Sequence, residues 1–260
     1  MDKNSLLYWY PKVKDLISTP RTEIVRLNDR EKEAYYKCIE DFVKLPKLYA
    51  RTRDLIEDKF KLPVFLRTDE FSNKHFWERS CFLNDLNKLN ENLNELIFAS
   101  MTVNFVGALP IEAIVVREYI EMDSHFKAFV GNMPVNSERR YFIDNGKIQC
   151  HHPYWIEDSI RQGVNPLPGN WKDLLKEANT ESSDEINLLS NWAGNIAKVF
   201  PGYWSIDFCK ARKGNWYMID MADGEKSWHP YYCEYSNEES PKKEEETDFS
   251  FLIEKKDCLP

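Results

Sequence analysis

Asp207 and Asp220 are the residues whose type and setting point most directly to chemistry. Each is an acid inside an apolar, strand-like run, Trp204-Ser-Ile-Asp207-Phe208 and Trp216-Tyr-Met-Ile-Asp220-Met221. Arg212-Lys-Gly-Asn215 lies between the runs as a turn, so the strands are expected to pair antiparallel and bring both carboxylates to one face. Two hard oxygen donors side by side among apolar neighbours are costly to bury without a cation between them. Mg²⁺ held by one or two carboxylates plus substrate phosphates answers that cost. The bland alternative is that each aspartate simply alternates out to solvent.

Three further groups could work on the same ligand. Leu62-Pro-Val-Phe-Leu66 reads as a buried strand that runs into the turn-prone Arg67-Thr-Asp-Glu-Phe-Ser72-Asn73-Lys74-His75. Such a loop offers backbone N–H groups and an ammonium to a phosphate, and Arg67 adds a planar fork. Surface charge accounts for these residues equally well, because no Walker pattern is present. Val115-Val-Arg117-Glu118-Tyr119-Ile120-Glu121 is a β-rich stretch ending in acids. It could set backbone groups against an adenine edge and a carboxylate against ribose, or be an ordinary strand end. In Glu138-Arg139-Arg140-Tyr-Phe142, residues 138, 140 and 142 share one strand face. Arg140 directed into an acidic, metal-holding site would clamp a transferring phosphoryl group; a structural Arg–Glu pair is the alternative.

Other chemistries lack support. Cys150-His151-His152 has no further zinc ligands at suggestive spacing, and the six cysteines form no C-x-x-C. There is no Lys-x-Asp-Gly for a nucleotidyl-lysine mechanism and no G-x-G-x-x-G.

The elements that must position these residues are readable in outline. Asn28 and Glu31 resemble a helix cap with its reciprocal acid, followed by Tyr35, Tyr36, Ile39, Phe42 and Val43 at helical spacing. Leu83, Leu86, Leu89, Leu93, Leu96 and Ile97 mark one face of a helix. Arg140–Ile143 and Lys147–Cys150 are strands joined by the hairpin signal Asp144-Asn145-Gly146. Ile186, Leu189, Trp192, Ile196 and Val199 form a second amphipathic helix, with Ser183 or Asp184 as its cap. Trp9, Tyr10, Trp155 and Trp171 either line an acceptor cleft or, more simply, pack a core.

Composition sets bounds. With 42% apolar and 14% aromatic residues in 260, the chain can build a substantial core, and its order of elements is α+β. A net charge of −8 argues against a nucleic-acid partner. No apolar run approaches membrane-spanning length, and no signal-peptide pattern opens the chain, so a cytoplasmic protein with reduced thiols is expected.

Taken in chain order, these pieces resemble an ATP-grasp protein. The likeness runs from about Leu62 to Trp228 and is strongest to the clade characterised by two arginines and a lysine. A relative of that clade is the eukaryotic cell-division-cycle chaperone that helps assemble translation initiation factor 2. The resemblance implies two α+β lobes with nucleotide bound between antiparallel sheets. It implies an abbreviated N-terminal substrate segment over residues 1–60, a small lobe over 61–120, a large lobe with metal-binding strands over 121–235, and an acidic tail over 236–260. It implies ATP and Mg²⁺ as cofactors. Arg67, Ser72, Lys74, His75, Arg117, Glu118, Tyr119, Ile120, Glu121 and Arg140 would hold ATP, with Lys74 and Arg140 catalytic. Asp207 and Asp220 would hold the metal.

Two departures matter. Arg67 stands where many ATP-grasp enzymes carry lysine, and Ala222 replaces the usual asparagine, so Asp223 is the substitute ligand expected. The implied activity is a ligase that activates a carboxylate as acyl phosphate for an amine or other nucleophile. The alternative is an ATP-binding assembly factor without ligase turnover. The acceptor, whether small molecule, peptide or protein, is not specified.

Overall fold

In the computed structural model, residues 2–37, 45–104, 111–161 and 165–236 are described. The chain divides into two units, Met1–Ser227 and Trp228–Pro260. In the second unit, residues 230–236 form successive tight turns, with Cys233 N–H donating to Pro230 O and Ser236 N–H to Cys233 O.

The first unit is built on two four-stranded antiparallel sheets. One has the order β1-β4-β2-β3, with β1 Thr22–Arg26, β2 Val64–Thr68, β3 Phe82–Leu83 and β4 Ala113–Glu118. On its helical face Val64, Leu66, Ile114 and Val116 pack against Leu48 and Ile56 of α3 (Pro46–Lys59) and Leu89, Leu93, Leu96 and Ile97 of α4 (Leu89–Asn104). Each such side chain, taken out of water, contributes about 1.5–3 kcal/mol. Strand alternation sends the intervening Phe65, Arg67 and Arg117 the other way. Leu83 belongs to β3 rather than to the helix expected to include it, and Leu86 lies in a 3₁₀ turn before α4.

The other sheet has the order β10-β9-β7-β8, formed by β7 Glu138–Asp144, β8 Lys147–Pro153, β9 Tyr203–Lys210 and β10 Trp216–Asp223. One face is an aromatic core: Tyr141, Ile206, Phe208, Trp216, Met218 and Met221 meet α1 (Leu6–Val13) and α7 (Ser183–Ala197). Trp9 and Tyr10 belong to that core. A hairpin, β5 Ser124–Ala128 with β6 Met133–Asn136, packs with α6 (Trp171–Asn179), Trp77 and Trp155.

Local signals explain much of this. Asn28 and Glu31 form the reciprocal cap of α2 (Asp29–Lys37), at 2.9 and 3.0 Å. Ile39, Phe42 and Val43 lie outside the described residues. Asn145 and Gly146 both take positive φ in the β7–β8 turn, as an Asn-Gly hairpin requires. The cap of α7 is Ser182, whose Oγ accepts from Glu185 N–H, not Ser183 or Asp184. No helix among the described residues is long and apolar enough to cross a membrane.

Candidate functional site

A cleft of about 340 Å³ lies between the two sheets, within the first unit. Its apolar end is lined by Phe65, Tyr119, Ile120, Met122, Met133 and Pro134, its charged end by Arg67, Lys74, Arg117, Glu138, Arg140, Asp207 and Asp220. One hydrophobic slot beside converging charges is the usual form of a small-ligand site.

The acids are delivered by register. Asp207 on β9 and Asp220 on β10 are direct cross-strand partners. A bulge between Met218 and Asp220 makes this possible, because without the extra residue Asp220 would fall opposite Ile206, on the core face. The bulge keeps both Met218 and Met221 in the core and turns Asp220 to the cleft. On the other neighbour of β9, Arg140 stands opposite Asp207 and binds it through both oxygens, Nε to Oδ1 at 2.7 Å and Nη2 to Oδ2 at 2.8 Å. Arg67 reaches across from β2 to Asp220 Oδ1 at 3.0 Å. The Arg67–Asp220 bond ties the two sheets together at the cleft, while the Arg140–Asp207 pair joins neighbouring strands of one sheet.

Lys74 opens the 3₁₀ turn Lys74–Arg79. Its Nζ lies 4.1 Å from the Tyr154 ring centre, 4.7 Å from that of Trp155 and 3.8 Å from Glu138 Oε2. Burial works against the ammonium, but Tyr154, Glu138 and Asp207 more than offset it, and its pKa stands above the ordinary lysine value. Arg140 behaves likewise: burial is outweighed by Asp207. His75, stacked on Phe129 at 4.2 Å, is pushed down to about 4 by burial and by Lys74, so it is neutral at physiological pH. Arg117 is lowered to about 10 by burial and by Arg67. Its Nη1 donates to Ile219 O at 2.5 Å, while Nη2 is buried with no hydrogen-bond partner. Glu70 is raised to about 7 by burial and by Asp69 and Asp2, against Lys226 and Arg67.

Two anchors hold the loop that carries Ser72 to His75. Asp69 is fully buried, its Oδ1 accepting from Glu112 and Ala113 N–H and its Oδ2 from Ser5 Oγ at 2.6 Å. At the far side the β5–β6 turn presses on the loop through Gly131, whose N–H donates to His75 O at 2.9 Å. A Cβ on Gly131 would lie 2.1 Å from Trp77 N, so only glycine allows this approach.

Of the residues singled out from sequence, the cleft gathers Arg67, Ser72, Lys74, His75, Arg117, Glu118, Tyr119, Ile120, Arg140, Asp207 and Asp220. Two are placed elsewhere. Glu121 does not line the cleft and pairs with Arg212 on an exposed surface at 2.5 Å. Asp223 lies outside it too, its Oδ1 accepting from Glu225 N–H to cap a 3₁₀ turn; three residues beyond Asp220, it falls where the chain leaves β10. Trp9, Tyr10, Trp155 and Trp171 are absent from the lining as well. Sequence reasoning missed Glu70, Asn136 and Tyr154 and gave Glu138 no place among the site residues. Glu138 shares the face of Arg140, which was a usable signal; nothing in the spacing marks Tyr154.

The donor set fits a divalent cation. Asp207 and Asp220 are hard oxygen donors held side by side on paired strands.

Two antiparallel sheets backed by helices and closing on a cleft, with acids on two late strands, fit the ATP-grasp domain whose family model the chain matches. The chain belongs to family 3 of the ATP-grasp clade named for its two arginines and a lysine, whose model matches residues 33–238. Among solved structures it is similar to C-terminally truncated Cdc123 from Schizosaccharomyces pombe, with 13% identity, TM-score 0.55 and 86% of each chain covered. Cdc123 from the same organism gives 10% identity and TM-score 0.54, again over 86% of each chain. D-alanyl-alanine synthetase A from Vibrio cholerae O1 biovar eltor is weaker, at 10% identity, TM-score 0.45, 84% of this chain and 55% of that one. No curated protein matches the sequence.

Proposed function

We propose that the cleft binds ATP with Mg²⁺ and transfers the γ-phosphoryl group to an acceptor carboxylate, as an ATP-dependent ligase. The observation that carries this reading is the register pairing of Asp207 with Asp220, facing Arg67, Arg140 and Lys74 at the charged end of a cleft whose other end is apolar. The adenine ring fits the slot of Phe65, Tyr119, Ile120 and Met133, and Glu118 lies at the ribose end. Arg67, Lys74 and Arg117 bind phosphate oxygens, and the unpartnered Nη2 of Arg117 gains an acceptor there.

Phosphoryl transfer asks a protein mainly for positioning and charge stabilisation. An acceptor carboxylate oxygen bonds to the γ-phosphorus as the bond to the bridging oxygen breaks, giving acyl phosphate and ADP. An amine then bonds to the acyl carbon, inorganic phosphate departs, and the amine proton passes to solvent. Arg140 and Lys74 stabilise the charge that develops on the transferring group. Asp207 and Asp220 would hold Mg²⁺, which when bound neutralises charge on the phosphate oxygens.

ADP release measured with and without candidate amino acids and peptides tests the reading. Acceptor-stimulated release supports it. Tight ATP binding without turnover for any acceptor would move the assignment to the ATP-binding assembly factor suggested by the sequence resemblance.

A further inference from the structure

Lys74 and Arg140 reach the charged end of the cleft from different sheets, Lys74 from the connection between β2 and β3 and Arg140 from β7. One neutral side chain meets both. Lys74 Nζ lies 4.1 Å from the centre of the Tyr154 ring and the guanidinium carbon of Arg140 lies 4.6 Å from it. Both distances are within the range of a cation–π contact. Tyr154 itself lines the cleft.

Two like charges gathered at one end of a cleft repel each other, and something must hold them there. Glu138 and Asp207 do part of this, at 3.8 Å from Lys74 and by the two-pronged pair with Arg140. A carboxylate, however, also neutralises the charge that a phosphate is to meet. An aromatic face attracts a cation through its quadrupole and stays neutral, so it holds the cation without cancelling it. The ring is well placed for that task because its own position is fixed. Tyr154 N–H donates to Glu138 O at 3.0 Å, which ties the residue to the strand that carries Arg140. Its ring meets that of the buried Trp155 edge to face at 4.8 Å, and the Trp155 ring centre is in turn 4.7 Å from Lys74 Nζ. A group whose backbone and ring are both anchored can preorganise its neighbours.

We propose that Tyr154 is a positioning residue of the nucleotide site, its ring seating Lys74 and Arg140 together at the phosphate end of the cleft with their charge left for phosphate oxygens. The inference rests on the nucleotide reading of the cleft. It makes the ring face, rather than the hydroxyl, the part of Tyr154 that matters, and it confines the effect to ligands that carry phosphate.

The test is calorimetric titration of ATP and of adenosine into the full chain, on wild type, Tyr154→Leu and Tyr154→Phe. The Leu variant is expected to bind ATP about tenfold more weakly, while its adenosine affinity and the ATP affinity of the Phe variant stay within about threefold of wild type. Equal losses for ATP and adenosine in the Leu variant would show a merely structural role and overturn the proposal, as would undiminished ATP binding. A Phe variant that falls as far as Leu assigns the effect to the hydroxyl and overturns the ring seat. Increasingly fluorinated phenylalanines at the same position keep the shape and withdraw negative charge from the ring face, so they test the claim even if the Leu variant does not fold. ATP affinity is expected to decline with each added fluorine while adenosine affinity holds, and a flat ATP response contradicts the proposal. If wild type binds no ATP, the nucleotide reading falls and this inference with it, a result distinct from a flat response at Tyr154.

Discussion

Arg139 and Arg140 are chain neighbours of one type on one strand, and the sheet sends them to opposite faces. Arg139 is wholly buried on the core side. Its Nε binds Glu185 at 2.6 Å and lies 3.2 Å from Glu181, and its two outer nitrogens donate to the carbonyls of Glu138, Ala178 and Thr180. It is a fixed joint between β7 and the α6–α7 connection. Arg140, on the cleft side, binds both carboxylate oxygens of Asp207 and stacks near Tyr154 at 4.6 Å. The contrast teaches that residue type does not decide role. Engagement of both outer nitrogens by fixed backbone carbonyls marks the first as structural, and a partner that is itself a candidate ligand marks the second as part of the site.

The comparison can be broken most forcefully at Arg139. Arg139→Met leaves the buried Glu185 without its cation, and about 3–5 kcal/mol of stability is expected to be lost in chemical denaturation. ATP affinity of the remaining folded protein should be close to wild type. A larger effect on ATP than on stability would reverse the assignment of the two faces.

Gly131→Val comes next, at about 1–3 kcal/mol, because the added carbons meet the backbone of Phe76 and Trp77. Since that contact seats the loop carrying Lys74, ATP affinity should fall together with stability. Arg140→Lys keeps the charge but loses the planar fork. Stability should change by less than about 1 kcal/mol while ATP affinity falls about tenfold, which is ~1.4 kcal/mol. The paired readouts sharpen the contrast, since the core face should report in stability and the cleft face in binding.

The smallest effect is electrostatic. Glu70 is raised to about 7 by burial and its acidic neighbours, so the folded state holds its proton where the unfolded chain has lost it, between about 4.5 and 7. The stability tied to that proton is full below 4.5 and lost as pH rises through 7. Glu70→Gln should therefore raise Tm by about 2–4 °C at pH 8 and leave it unchanged at pH 4.5, measured by thermal melting at both pH values.

Much of this was legible in the sequence. The alternating runs around Asp207 and Asp220, the Asp144-Asn-Gly146 turn and the reciprocal Asn28–Glu31 cap are local signals, and local chemistry decides them. What was not legible depends on register and on distance. The bulge that turns Asp220 to the cleft leaves no mark in the composition of β10. The placing of Asp223 as a turn cap is settled only by where the strand ends. Gly131 looks like any loop glycine until the backbone of Trp77 is found against it. Tyr154 joins Lys74 and Arg140 only because β8 lies beside β7, a pairing that single residues do not announce.

Calorimetric titration of ATP with and without Mg²⁺, on wild type and on Asp207→Asn with Asp220→Asn, probes the central claim most directly. The account expects Mg²⁺ to strengthen ATP binding at least tenfold in wild type and to have no effect in the double variant. Equal Mg²⁺ enhancement in both proteins would show that the paired aspartates do not hold the ion, and would contradict it.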